Sequence, residues 1–359
     1  MRNGSNTSCN RSWANFGWVL VLGLTGACSS SHTTGDAGVT SDAGTTPPPS
    51  CASGGPGLDN CGAGHESCCT TLLVSGGSYA RTYSSDDAGA GAAGTDPATV
   101  SDFRLDKYDV TVGRFRQFVQ LVTAADGGAG VLPSAGAGKH AHLAGGLGLR
   151  DVGPDAGAGN EKGWDTPDGV NVAPTDANLT SCGAASTWTV TAASQENLPI
   201  NCVSWAEAYA FCIWDGGFLP SEAEWEYAAA GGDRQLPYPW GAADPGTMNR
   251  YAIYECNYPD GMQDCTGVAD IAPVGTATAG AARWGQLDLA GNQSQWLLDW
   301  YAKYVTPCDD CVNASKGGSR VLRGGGYDDA PSHLRPAYRD ANNPTLRADL
   351  IGVRCARSP

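Results

Sequence analysis

The sequence predicts an α+β fold with short strands, few helices and much irregular loop. The first sign is composition: 50 Gly and 21 Pro among 359 residues interrupt regular structure throughout. The second is that the strand-like runs are brief. Leu72-Leu-Val-Ser-Gly-Gly-Ser-Tyr79 carries a glycine break, and Phe103-Arg-Leu-Asp-Lys-Tyr-Asp-Val110 alternates. The third is that helix signals come as short windows with their own caps, after Thr111, Ser204 and Ser221. Hydrophobic residues make up 41%, enough for a sizeable core. The net charge of −15 argues against a nucleic-acid partner, whose phosphates need Lys and Arg. It suits a soluble exterior or a surface that attracts cations.

At the N-terminus, Arg2 and Arg11 precede the apolar run Trp18-Val-Leu-Val-Leu-Gly-Leu24 and then Thr25-Gly-Ala-Cys28. Such a run is too short to span a bilayer and reads as a signal peptide over 1–27. Small residues before a Cys resemble a bacterial lipobox, which makes Cys28 the lipidation site. Residues 28–50 have almost no large apolar side chain and read as a lipid-anchored flexible tether. The expected location is the bacterial cell envelope, at the outer membrane or periplasmic face, with the membrane reached by the lipid anchor only. Of 14 cysteines, Cys9 leaves with the signal and Cys28 takes lipid. The even remainder in an exported chain implies disulfides.

Residues 51–70 hold Cys51, Cys61, Cys68 and Cys69 and read as a disulfide-rich cap whose pairing stays open. Thr111 caps a helix that places Val112, Phe115, Phe118, Val119 and Val122 on one face, a core stripe. A low-complexity insertion is expected near 124–198, densest in Ala and Gly over 124–160. Its His140 and His142 read as solvent-exposed loop histidines rather than metal ligands. The best-patterned stretch is 199–232. Ser204 with Glu207, and Ser221 with Glu224, are capping boxes, and Trp205, Ala208, Tyr209, Cys212, Trp225 and Ala228 supply buried faces. Capping and the helix dipole account for Glu222 and Glu224, and the set of Glu222, Glu224 and Glu226 is not read as paired-carboxylate catalysis.

Several blocks, in order, resemble the formylglycine-generating enzyme, or sulfatase-modifying factor, family. Tyr108-Asp-Val-Thr-Val-Gly-Arg-Phe115 is similar to its E-V-T-N-x-x-F segment, and Val203-Ser-Trp-Ala-Glu-Ala208 to V-S-W-x-D-A. Phe218-Leu-Pro-Ser-Glu-Ala-Glu-Trp-Glu-Tyr227 is similar to R-L-P-T-E-A-E-W-E, and Tyr238-Pro-Trp-Gly241 to Y-P-W-G. Asp288-Leu-Ala-Gly-Asn-Gln-Ser-Gln-Trp296 resembles D-M-x-G-N-V-W-E-W, Val321-Leu-Arg-Gly-Gly-Gly-Tyr327 resembles V-x-R-G-G-S-W, and Ile351-Gly-Val-Arg354 the closing G-F-R. The resemblance implies one sulfatase-modifying-factor (C-type-lectin-like) domain over 71–359 and a Cys212–Cys355 disulfide. Sequence proximity suggests Cys182–Cys202, Cys256–Cys265 and Cys308–Cys311, the last a structural bridge rather than a redox pair.

Active members of that family use two cysteines after the glycine block to bind copper(I) and oxidise a substrate cysteine to formylglycine. Soft thiolates suit Cu(I). Here no cysteine stands between Cys311 and Cys355, so copper is not expected and no catalytic residue is assigned. Gly326, Asp328, Asp329 and Leu334 occupy the ground where the resemblance implies Ser and Cys. The resemblance also implies a calcium site, with Asp288 and Gln295 as side-chain ligands and Gly291 and Gln293 as carbonyl ligands; the neutral Gln weakens it. The expected role is a binding module for an envelope protein or glycan. Its groove would lie beside Tyr327, Asp328, Asp329, His333, Arg335 and Arg339, although Arg335 and Arg339 also suit structural ion pairs. The alternative is a formylglycine-generating oxidase acting on sulfatase cysteines. An iron site would need His140, His142 and a carboxylate from within the insertion.

Overall fold

Gly76 decides how the first strands are arranged. A Cβ there would sit 2.3 Å from the Val100 carbonyl oxygen, so only glycine lets the backbones pass this closely. The stretch expected as one broken strand is therefore two, β1 (Thr71–Val74) and β2 (Gly77–Thr82), in different sheets. β2 pairs antiparallel with β3 (Thr95–Val100), and β1 with β4 (Phe103–Asp106). The structure, a computed structural model, describes residues 47–83, 94–124, 131–154, 157 and 159–359. The signal peptide, Cys28 and nearly all of the tether lie outside the described residues.

Thr111 caps α1 (Val112–Val122), accepting from the Arg114 amide at 3.1 Å, and Phe115, Phe118 and Val119 are buried as the spacing predicts. The cap packs onto this helix start. Its bridges are Cys51–Cys69 and Cys61–Cys68, so the adjacent Cys68 and Cys69 take separate partners. Thr111 donates to the Gly57 carbonyl, and Arg114 reaches Ser50 Oγ and the Cys68 carbonyl.

The insertion is less loop-like than its composition predicts. It supplies β5 (Arg150–Asp151) and α2 (Asp176–Leu179), and Leu143, Leu149, Trp164, Leu179 and Trp188 join the main core with α1. Both capping boxes form, at the starts of α3 (Trp205–Trp214) and α4 (Glu222–Ala229). Phe211 of α3 packs 5.4 Å from Phe115 and 5.9 Å from Phe118.

The central sheet is built on β6 (Ser294–Trp300), buried along its whole length. Two short strands follow, β7 (Cys308–Asp309), beside β3, and β8 (Cys311–Val312), beside β5. β9 (Arg320–Arg323) pairs antiparallel with β6 and with the edge strand β10 (Asp340–Asn342). β11 (Ile351–Gly352) lies parallel to β6 on the other side, and β12 (Ala356–Arg357) joins β4. Disulfides Cys182–Cys202, Cys212–Cys355, Cys256–Cys265 and Cys308–Cys311 form as expected. Short strands, few helices and long irregular connections thus make an α+β domain. Among the described residues no helix is long and apolar enough to cross a membrane.

Candidate functional site

β9 carries the chain into Gly324-Gly325-Gly326. Gly324 and Gly325 have φ of 106° and 72°, and a Cβ on Gly325 would press on His333 at 3.1 Å. The turn that results is pinned by Asp329. One carboxylate oxygen accepts from the Gly326 amide at 2.7 Å and the other meets His333 Nδ1 at 2.7 Å. The His333 ring stacks on Tyr338 at 4.1 Å. Tyr327 turns inward, 4% exposed, and donates its hydroxyl to Asp349 at 3.1 Å. Backbone bonds from Cys256 to the Tyr327 carbonyl and from Glu255 to the Asp329 carbonyl fasten the turn to the neighbouring loop. Burial, with Asp329 and Asp349 nearby, pushes the Asp328 carboxyl up. Asp328, Asp329, His333 and Arg335 reach the surface, whereas Tyr327 and Arg339 do not.

Arg339 belongs to a charge network behind the turn. Its Nε and Nη2 donate to Glu222 at 2.7 and 2.8 Å, between the rings of Tyr301 and Tyr304. Arg323 donates to Glu222, to Glu226 and to the Pro336 carbonyl. Burial works to raise Glu222, but Arg339 and Arg323 outweigh it and hold the carboxyl at about 2. Asp299, which caps the Glu222 amide, is pushed up to about 7 by burial and by the Glu222 charge. Capping therefore accounts for Glu224 alone. A signal for the rest existed: Glu222 and Glu226 are one helical turn apart in a helix buried on all sides, and such carboxylates demand cations.

His140 is not an exposed loop histidine. It is fully buried, with Nδ1 3.0 Å from Glu161 and Nε2 3.0 Å from Glu224, and Phe218 lies against its ring at 3.8 Å. His142 is partly buried beside it and also packs on Phe218. Both His140 nitrogens are engaged by carboxylates, which leaves neither as an open metal ligand. Among the described residues no three His, Cys, Asp or Glu side chains converge as a metal site.

Three of the four residues named for calcium have their oxygens already engaged by N–H donors. Gln295 Oε1 already accepts from Trp225 Nε1 at 2.6 Å and Arg354 Nε at 3.0 Å. Its Nε2 donates to Asp109 and to the Asp288 carbonyl. The Asp288 carboxylate accepts from the Gly275 amide, and the Gly291 carbonyl from the Gln293 amide. These oxygens face N–H groups, and the Arg354 guanidinium supplies the positive charge beside them. The thiol chemistry lacks its parts as well: every described cysteine, from Cys51 to Cys355, is in a disulfide.

Known proteins are similar to the chain over most of its length. The model of the sulfatase-modifying factor enzyme 1-like domain matches residues 61–359. A formylglycine-generating enzyme of Thermomonospora curvata is 31% identical over 279 residues, covering 72% of this chain and 83% of that protein. An inactive C-alpha-formylglycine-generating enzyme 2 of Bos taurus is 34% identical over 163 residues, 44% of this chain and 50% of that one, so the chain spans about half its length. The solved structure of PvdO from Pseudomonas aeruginosa aligns over 80% of this chain and 94% of its own, at 19% identity and a TM-score of 0.49. With the glycine block, both capping boxes and the Cys212–Cys355 bridge in place across the matched span, the chain belongs to the sulfatase-modifying factor enzyme 1-like domain family.

Proposed function

We propose that this chain is a non-catalytic binding module of the sulfatase-modifying factor fold, exported and held on the bacterial cell envelope by lipid on Cys28. The observation that carries the reading is the state of its sulfur. The turn after the glycine block holds Asp329 and Leu334, and every described cysteine is tied in a disulfide. A copper(I) oxidase needs a free thiolate pair at that turn. Asp329 is instead committed to holding the turn, through Gly326 and His333. A relative whose name marks it as inactive aligns at 34% identity, which supports a role without the reaction. The binding face would be the half-exposed surface of Asp328, Asp329, His333 and Arg335, and the ligand an envelope protein or glycan.

The second reading, an oxidase acting on sulfatase cysteines, draws on the 31% identity to a formylglycine-generating enzyme. One experiment separates the two. The purified chain is incubated with a cysteine-containing sulfatase peptide, copper and oxygen, and the peptide is weighed by mass spectrometry. The expected result is an unchanged peptide; formylglycine above the protein-free control would sink the non-catalytic reading. Mass spectrometry of protein extracted from membranes tests the anchor, with acyl chains expected on Cys28.

A further inference from the structure

Among the buried arginines, Arg320 stands apart. Arg114, Arg116, Arg323, Arg339 and Arg354 each bond a carboxylate. Arg81 lacks one but donates to two carbonyls, of Asp96 and Val305. Arg320 is 8% exposed, yet among the described residues it makes one hydrogen bond, from Nη1 to the Leu298 carbonyl, and its Nε is buried without a partner. The guanidinium lies 3.6 Å from the Trp205 ring and 3.8 Å from the Trp300 ring, so an indole covers each face and only an edge remains for polar contact. Burial pushes this group down to about 9, a sign of a cation short of negative charge.

The surroundings supply a second cation and an exposed, glycine-containing approach. Ser315-Lys316-Gly317-Gly318-Ser319 leads directly into Arg320, and Lys316, Gly317 and Gly318 are exposed. A Cβ on Gly317 would meet nothing nearer than 3.6 Å, at Trp300, and one on Gly318 nothing at all. Burial pushes the Asp168 carboxyl up, and the charges of Arg320 and Lys316 both oppose that rise, so the two cations act on one carboxylate. It forms no ion pair with either. Asp299, the other carboxylate acting on Arg320, is engaged with the Glu222 and Asn313 amides.

We propose that Arg320 and Lys316 form a binding site for a carboxylate-bearing ligand, received at the open edge of the guanidinium between Trp205 and Trp300. A carboxylate is flat and lies in the plane of the guanidinium, so it enters between the indoles where a tetrahedral oxyanion meets their walls. The site lies at the start of β9, whereas the turn after the glycine block is at its end.

The test is the thermal midpoint of the full chain, titrated at constant ionic strength with sodium acetate, sodium sulfate or sodium chloride. Acetate is expected to raise the midpoint saturably, and sulfate and chloride without saturation. Arg320→Gln is expected to weaken acetate by at least about tenfold, as loss of a charge-assisted hydrogen bond does. Lys316→Glu, at an exposed position, is expected to weaken it severalfold, so the proposal stays falsifiable if Arg320→Gln does not fold. Asp168→Asn removes a like charge and is expected to tighten acetate. A response equal for acetate and chloride overturns the proposal. So does a saturable acetate response that Lys316→Glu and Asp168→Asn leave unchanged, since the anion then sits elsewhere.

Discussion

Two sides of the glycine block, a few residues apart in sequence, are built on different terms. Behind it, the side chains of Arg323 and Glu226 are 0% exposed, and Glu222 serves both Arg323 and Arg339. In front of it, His333 and Asp329 are 30% and 23% exposed and bond mainly each other and the Gly326 amide. Breaking a buried, hydrogen-bonded ion pair strands an uncompensated charge, whereas a half-exposed pair is worth little. Folding therefore constrains the residues behind the block more strictly than those in front.

The largest effect should follow from breaking the rear network. Glu222→Ala leaves Arg323 and Arg339 without their shared carboxylate, and is expected to destabilise the chain by on the order of 4 kcal/mol in urea unfolding. A change below about 1 kcal/mol would mean that the rear charges are as dispensable as the front ones. Next in size is His140, which ties the insertion, through Glu161, to α4, through Glu224. Burial alone would lower this imidazole, but the two carboxylates outweigh it and raise it from 6.5 to about 10. The sign follows from the raised value. The stabilisation is complete below pH 6.5, falls as pH rises, and is gone once pH passes about 10. A stabilisation on the order of a few kcal/mol should disappear across that window. His140→Gln should lack this alkaline decline, and unfolding curves of both proteins at several pH values measure the difference.

What could be read from the sequence was local. Ser221 and Glu224 are three residues apart, and a cap needs nothing more to be recognised. Thr111 and its stripe of Val112, Phe115 and Phe118 were legible for the same reason. His140 was not, because its partners lie 21 and 84 residues away, and a histidine in an Ala/Gly-rich stretch carries no local mark of burial. From sequence, Arg339 suits both a groove floor and a structural ion pair. Glu222, 117 residues distant, decides for the latter. Likewise Leu149 and Trp164 sit in a stretch whose composition signals loop, and only the tertiary packing makes them core. The turn itself was half-legible. The glycines announced it, but nothing in their spacing told that Asp329 would pin it by accepting the Gly326 amide.

The smallest predicted effect tests the front side most directly. His333→Phe keeps a flat ring to stack on Tyr338 and removes the Nδ1 contact with Asp329. That contact is partly solvated, and Asp329 retains its bond from the Gly326 amide, so the turn keeps its main support. The expected loss in urea unfolding is under about 1 kcal/mol. A loss comparable to that of Glu222→Ala would show that His333 holds the turn rather than faces a ligand. The front would then be as constrained as the rear, and the surface most open to functional change would have to be sought elsewhere, first at the exposed loop that leads into Arg320.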